Sequence, residues 1–223
     1  MRSMPHKDHL AIAFIALLNA GAMAQRTTTA YQNYDFVPGE HILFTDDQGG
    51  DQDGEFPAHW KLLGGQAVVN HDTTRHYVAI TQYYTVMAPR MKQERYLPAD
   101  AWTLEFDYYL DAKYDGNPGV SVSLRDGEEV ATIVPNRDHF YCSFPGGNLS
   151  GDTPLPLRGE VFYDRWHHIA IAFRKGQLKV YVDQFRTLTV PDLGATPTSI
   201  AIKGDASEGM NMFFGDLGDP EVE

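Results

Sequence analysis

The feature that most limits what this chain can fold into is the period of its apolar residues. In "WTLEFDYYL", residues 102–110, Leu104, Phe106, Tyr108 and Leu110 fall on one side of an extended chain, and Thr103, Glu105, Asp107 and Tyr109 on the other. Successive side chains of a strand point to opposite faces, so this stretch reads as a strand with one buried face. In "WHHIAIAFRKGQLKVYVD", Ile169, Ile171 and Phe173 alternate with small or polar residues. Beyond a turn at Lys175-Gly176, Leu178, Val180 and Val182 alternate with Lys179, Tyr181 and Asp183, which makes a hairpin. "FRTLTV" extends it past a second turn at Asp183-Gln184. "HYVAIT", "GVSVSLR", "EVATIV", "TSIAIK" and "MNMFFGDL" are further strands. Turn signals separate them at Asp115-Gly116-Asn117-Pro118-Gly119, Asp126-Gly127 and Pro145-Gly146-Gly147-Asn148. No segment after residue 24 carries a convincing helical period. Short strands at this spacing predict an all-β sandwich or barrel.

The first 24 residues read as a secretory signal peptide. Arg2 and Lys7 give a positive start, "LAIAFIALLNAGA" is a short apolar run, and Ala22-Met23-Ala24 has the small-x-small form of a cleavage site. Export predicts a periplasmic, cell-surface or extracellular protein, and no later segment is apolar enough to span a bilayer. Residues 25–34 read as a flexible lead-in and 35–223 as a single domain, long enough for a substantial core. The formal charge is −12 with no basic block, which argues against nucleic acid and anionic membrane surfaces as partners. Neutral partners, or cationic ones such as Ca²⁺, suit it better. Cys142 is the single cysteine, so there is no internal disulfide and no cysteine-based zinc site. In "HFYCSF" it reads as a small buried hydrophobe.

Two segments carry a family resemblance. "DRWHHIAIAFRKGQLKVYVDQ" is similar to the paired strands of laminin-G-like and concanavalin-A-like jelly rolls, with Trp166, Tyr181 and Asp183 in the characteristic places and Gln184 where glycine is usual. "YDFVPGEHILFTDDQGGDQDGEFPAHW", continuing to "RYLPADAWTLEFDYYL", resembles the jelly-roll region that precedes the OmpA-type domain in some Gram-negative outer-membrane proteins. Asp46, Asp47, Asp51, Gly54, Glu55, Phe56, Pro57 and Trp60 fit that pattern. The chain ends at Glu223, where the jelly roll itself would finish, so anchoring to the cell wall does not carry over. The resemblance implies a two-sheet antiparallel jelly-roll sandwich.

The acidic run within residues 45–60 has two readings. As an EF-hand it fails: with Gly54 as the invariant glycine, positions 1 and 12 fall on Gly49 and Trp60, and neither is a carboxylate. The resemblance implies instead a structural calcium between this loop and an aspartate near the last strand, held by Asp46, Asp47, Asp51, Asp53 and Asp216. The other reading is a solvated turn in which Asp and Gly serve the backbone.

For catalysis, Glu105 and Asp107 share the outward face of their strand. A retaining hydrolase on such a strand needs a second glutamate four or five positions on, with the carboxyls about 5–5.5 Å apart; Tyr109 and Leu110 stand there. His167 and His168 are adjacent and point to opposite faces. His41, His59, His71, His76 and His139 show no ligand spacing. Sugar binding by exposed rings is the alternative, with Tyr109 and Tyr114 beside Glu105 and Asp107 as the platform; Trp60, Trp102 and Trp166 are assigned to the core. The sequence therefore predicts an exported, non-catalytic jelly roll that recognises a glycan or a protein of the cell envelope. A self-associating structural or assembly subunit is the alternative, and a glycoside hydrolase the third possibility.

Overall fold

The computed structural model describes residues 34–112, 119–206, 212–215 and 217. The predicted signal peptide, the predicted lead-in through residue 33, Tyr114 and Asp216 lie outside them. Fourteen strands form two antiparallel seven-stranded sheets. The first sheet runs, in spatial order, β1 (Trp60–Gly64), β4 (Thr85–Pro89), β13 (Ser199–Gly204), β6 (Val120–Asp126), β7 (Glu128–Val134), β8 (His139–Phe144) and β9 (Gly147–Asp152). The second runs β12 (Phe185–Val190), β11 (Gln177–Val182), β10 (Trp166–Arg174), β5 (Ala101–Leu110), β14 (Met212–Gly215), β3 (His76–Ile80) and β2 (Ala67–His71). Among the described residues, helix is confined to two short 3-10 turns, Leu155–Leu157 and Gly159–Phe162. None is long and apolar enough to cross a membrane.

The predicted alternation builds the core. Leu104, Phe106, Tyr108 and Leu110 of β5 are buried, as are Ile169, Ile171 and Phe173 of β10 and Leu178, Val180 and Val182 of β11. Val122, Leu124, Ile133, Phe140 and Ile202 of the first sheet belong to the same apolar cluster. Cys142 is part of it, and burial pushes its thiol up to about 12. The β10–β11 turn places Lys175 at φ 48° and Gly176 at φ 86°, the left-handed pair that suits the right-handed twist of a tight hairpin. Edge strands β9 and β12 approach so closely that a Cβ on Gly151 would sit 1.7 Å from the Thr187 carbonyl oxygen.

On the outer face of the second sheet lies an extended segment, residues 34–38. Tyr34 and Phe36 pack edge-on against the Tyr181 ring, at 5.5 and 5.4 Å. Between them, Asp35 accepts hydrogen bonds from Lys179 Nζ (2.6 Å), Tyr181 Oη (2.9 Å) and Arg186 (3.0 Å). These hold its carboxyl at about 2, the Lys179 bond contributing most. The segment lies over β11 and, through the Gly39 amide donating to Thr103 Oγ1 at 3.0 Å, reaches β5.

Candidate functional site

The site grows out of the outward positions of β5 and β10. Register pairs Asp107 with His168 and Tyr109 with Trp166, so charge sits beside charge and ring beside ring. His168 Nδ1 lies 3.1 Å from Asp107 Oδ1, and its Nε2 lies 3.2 Å from Glu105 Oε2. With a carboxylate at each nitrogen the imidazole is pushed up to about 9, the hydrogen bond to Asp107 being the largest cause. At neutral pH it is an imidazolium donating to both acids. Burial by itself raises the Asp107 carboxyl, but hydrogen bonds from His168 and Arg75 outweigh it and hold the group below its ordinary value. Arg75, from the turn between β2 and β3, ion-pairs with Asp107 and places its guanidinium 4.7 Å from the centre of the Trp166 ring.

That guanidinium joins the charged group to an aromatic one. Tyr109 stacks on Phe213 at 5.2 Å and meets Trp166 at 5.5 Å, and Tyr77 lies 4.4 Å from Phe213 and 5.8 Å from Trp166. Tyr109, Trp166 and Phe213 are only partly buried. On the other side, the charged group opens into a cleft of about 1020 Å³ bounded by Tyr34, Phe36, Asp47, Thr74, His76 and Asp183 among others, the scale of a ligand site. A second cavity, about 350 Å³, lies under residues 38–44 and is lined mainly by apolar groups, among them the Trp102 ring. It lacks a comparable convergence of charge.

Of the residues singled out from sequence, Glu105, Asp107 and Tyr109 come together here. Glu105 is more buried than an outward acid should be, at 8% exposed, because His168 neutralises it. Trp60 and Trp102 are core residues, but Trp166 is not: it stands half-exposed in the aromatic patch. Its position at the start of β10, opposite Tyr109, puts it on the outward parity. His167, one residue on, faces inward as its parity requires, stacked on Phe162 with Nδ1 3.0 Å from Asp183 and Nε2 3.0 Å from the Phe162 carbonyl. Arg75, Tyr77 and Phe213 carried no sequence signal beyond strand parity, because only the order β5–β14–β3 makes them neighbours.

The acidic loop is anchored locally. Asp46 is buried, accepts from Trp60 Nε1 at 2.7 Å, and lies 3.1 Å from His59 Nδ1. Asp47 caps the Gly49 amide (2.9 Å) and Asp51 accepts from the Ala58 amide (3.3 Å). Asp53 contacts His71 at 2.6 Å. The Asp46 backbone pairs with Leu217 in both directions, 3.0 and 3.3 Å, which brings the loop to the end of the last strand. Among the described residues the four aspartates do not form one ligand set; the group that converges is Asp53 with His71 and His76.

No family model matches the sequence, and no curated protein matches it. Solved structures do match in fold. The VIP36 exoplasmic/lumenal domain superposes with TM-score 0.51 at 14% identity, over 82% of this chain and 91% of that one. A binding domain of botulinum neurotoxin DC gives 0.54 at 8% identity, over 82% of this chain and 48% of the other. A sialidase gives 0.55 at 9% identity, over 79% of this chain but 18% of the enzyme chain. The shared element is the two-sheet jelly-roll sandwich.

Proposed function

We propose that this chain is a non-catalytic glycan-binding module whose ligand face is the outer face of the second sheet. The observation that carries this reading is the continuity of the patch formed by Tyr109, Trp166 and Phe213, backed by the buried Tyr77, with the Glu105–His168–Asp107 cleft, through Arg75. Rings offer apolar faces to sugar C–H groups, and fixed charged groups beside them supply directional hydrogen bonds. Two fold neighbours were solved with sugars, VIP36 in a Ca²⁺/Man-bound form and the toxin domain in complex with SialylT. At these identities they support the fold as a suitable carrier and leave the ligand's identity to experiment. The acids suit catalysis poorly. Both hold the same imidazolium, and Asp107 is driven below its ordinary value, the reverse of what a glycosidase general acid needs. Export through residues 1–24, with a place in the periplasm, on the cell surface or outside the cell, belongs to the same proposal.

The test is depletion of the purified protein by a panel of polysaccharides and peptidoglycan. Selective depletion by one glycan, lost in Trp166→Ala and Tyr109→Ala, is expected. Depletion by none of them, together with concentration-dependent self-association, would favour the assembly reading; Leu62 and Leu63 are exposed on edge strand β1 for such a contact.

A structural calcium at the acidic loop is a second proposal. Its support is a fit of donors: Gln48 Oε1 is a buried oxygen without a hydrogen-bond donor, in the loop that carries Asp46, Asp47 and Asp51, and Leu217, which pairs with Asp46, follows Asp216 directly. Oxygen donors of this kind suit calcium. EDTA should lower Tm and added Ca²⁺ restore it; no change in either step would remove the ion from the account.

A further inference from the structure

The β2–β3 hairpin holds two histidines at its mouth. In "HDTTRH" they stand five residues apart, a spacing with no meaning on a helix, but the hairpin register places His71 directly opposite His76. Their ring centres are 5.5 Å apart. The connecting turn is locked by Asp72, whose carboxylate accepts from the Thr74 amide at 2.7 Å, the Thr74 hydroxyl at 2.6 Å and the Arg75 amide at 3.1 Å. Asp53 reaches the pair from the acidic loop, with its Oδ2 2.6 Å from His71 Nδ1. The loop is itself stitched to β2 at this point, since the Gly54 amide donates to the Val69 carbonyl and the Val69 amide to the Glu55 carbonyl, both at 2.8 Å. One ligand atom from each of the three side chains lies within 4.8 Å of the other two.

We propose that Asp53, His71 and His76 form a binding site for a divalent transition-metal ion, with Zn²⁺ the best match. Two imidazole nitrogens and one carboxylate oxygen are a borderline-soft set that suits zinc, whereas calcium takes oxygen ligands. Ligand atoms of a four-coordinate zinc stand a little over 3 Å apart at metal–ligand distances of about 2.0–2.2 Å. The His71–Asp53 pair, at 2.6 Å, needs to open slightly and His76 to draw in; side-chain rotation suffices for both, since the backbone that carries them is already paired. Three protein ligands leave a coordination position for water or an incoming oxygen. The ion would sit at the rim of the cleft, because His76 also lines it. The Asp53 charge already reaches the aromatic patch: burial is the main cause of the raised Tyr77 phenol, and the carboxylates of Asp72 and Asp53 add to it. Asp53, which the resemblance placed in the calcium set with Asp46, Asp47, Asp51 and Asp216, converges instead with the two histidines, and the site stands whether or not a glycan binds.

The experiment is titration of the purified, EDTA-stripped and dialysed protein with Zn²⁺ alone, by calorimetry and by competition with a chromogenic chelator, repeated with Co²⁺ for its absorption spectrum. One Zn²⁺ per chain is expected, with affinity falling at least about tenfold in His71→Ala, His76→Ala and Asp53→Asn, and unchanged in Asp51→Asn. A tetrahedral-type Co²⁺ spectrum should vanish in the histidine variants. His71 and Asp53 are exposed, so His71→Ala and Asp53→Asn should keep the wild-type Tm in the absence of metal, which separates loss of ligation from loss of fold. No stoichiometric binding, or binding indifferent to both histidine substitutions, overturns the proposal. So does a loss that appears equally in Asp51→Asn.

Discussion

The two sheets obey one alternation rule and spend it differently on their outer faces. On the first sheet the outward positions are mostly small and hydroxylated, Ser121, Ser123, Thr132, Ser143 and Ser150, joined by His139 and Tyr141 with ring centres 5.9 Å apart and by the Lys203–Glu129 ion pair at 3.0 Å. That ion pair is well exposed, each side chain at 37%. On the second sheet the same parity carries three rings in contact, an imidazolium between two carboxylates, and a covering segment pinned by Asp35. Burying charge costs free energy unless it is paired and hydrogen-bonded. The second sheet therefore does more than shield a core: its outer face holds a paired charged group and a ring cluster in contact, which is why the ligand face is proposed there.

The baseline for this comparison is the inward side of β5. Phe106 is fully buried, and Phe106→Ala should cost about 3–5 kcal/mol, lowering Tm by roughly 10 °C for a domain of this size. Against it stands His168→Ala, one strand away and outward. Removing the imidazole leaves Glu105 and Asp107 as neighbouring carboxylates, and Glu105 is only 8% exposed. The expected cost is about 1–3 kcal/mol, read from urea midpoints at constant m-value. A cost below 0.5 kcal/mol, the ordinary range for surface changes, would mean the charged group is mere decoration and would erase the difference between the two faces.

The same group should give the second sheet a pH signature. His168 has a folded value of about 9, above its ordinary 6.5, so its contribution is fully present below 6.5 and lost as pH rises through about 9. Asp107 runs the other way: its folded value lies below the ordinary 3.8, so its contribution is present above 3.8 and lost as pH falls through the lowered value. The stability difference between wild type and His168→Ala should therefore be largest between these two limits and shrink toward pH 9. A difference independent of pH from 6 to 9.5 would show that the imidazole works by packing rather than by charge.

How much of this was legible beforehand follows from what each feature depends on. Strand identity in β5, β10 and β11 depends on local alternation, and the residues declare it. β9 could not be read, because "GNLSGD" is nearly all exposed and holds its place through backbone bonds to β8 rather than through an apolar face. The Glu105–Asp107–Tyr109 row was legible from parity within one strand. Its partners were not, since His168 joins it by register across β5 and β10, and Phe213 and Tyr77 by the order of strands distant in sequence. Trp166 was assigned to the core on burial habit, whereas its parity, opposite to that of Ile169 and Ile171, already pointed outward. The His71–His76 pair has no ligand spacing of the helical kind. Two histidines flanking a four-residue turn are neighbours only in a hairpin.

The smallest expected effect is on the first sheet, and it is the sharpest control. Lys203→Ala removes the ion pair with Glu129, both side chains 37% exposed. A surface pair in water is worth at most about 1 kcal/mol, and often nothing measurable. Burial by itself raises the Glu129 carboxyl, but hydrogen bonding in which Lys203 is one contributor outweighs it and holds the group below its ordinary value. The change should stay within about 0.5 kcal/mol and leave glycan depletion untouched. On the second sheet His168→Ala leaves Asp107 only Arg75 of the two groups that lower it, and leaves the buried Glu105 without its imidazolium. If Lys203→Ala cost as much as His168→Ala, the outer faces would be energetically alike, and the location of the ligand face would have to be argued from the aromatic patch without the charged group beside it.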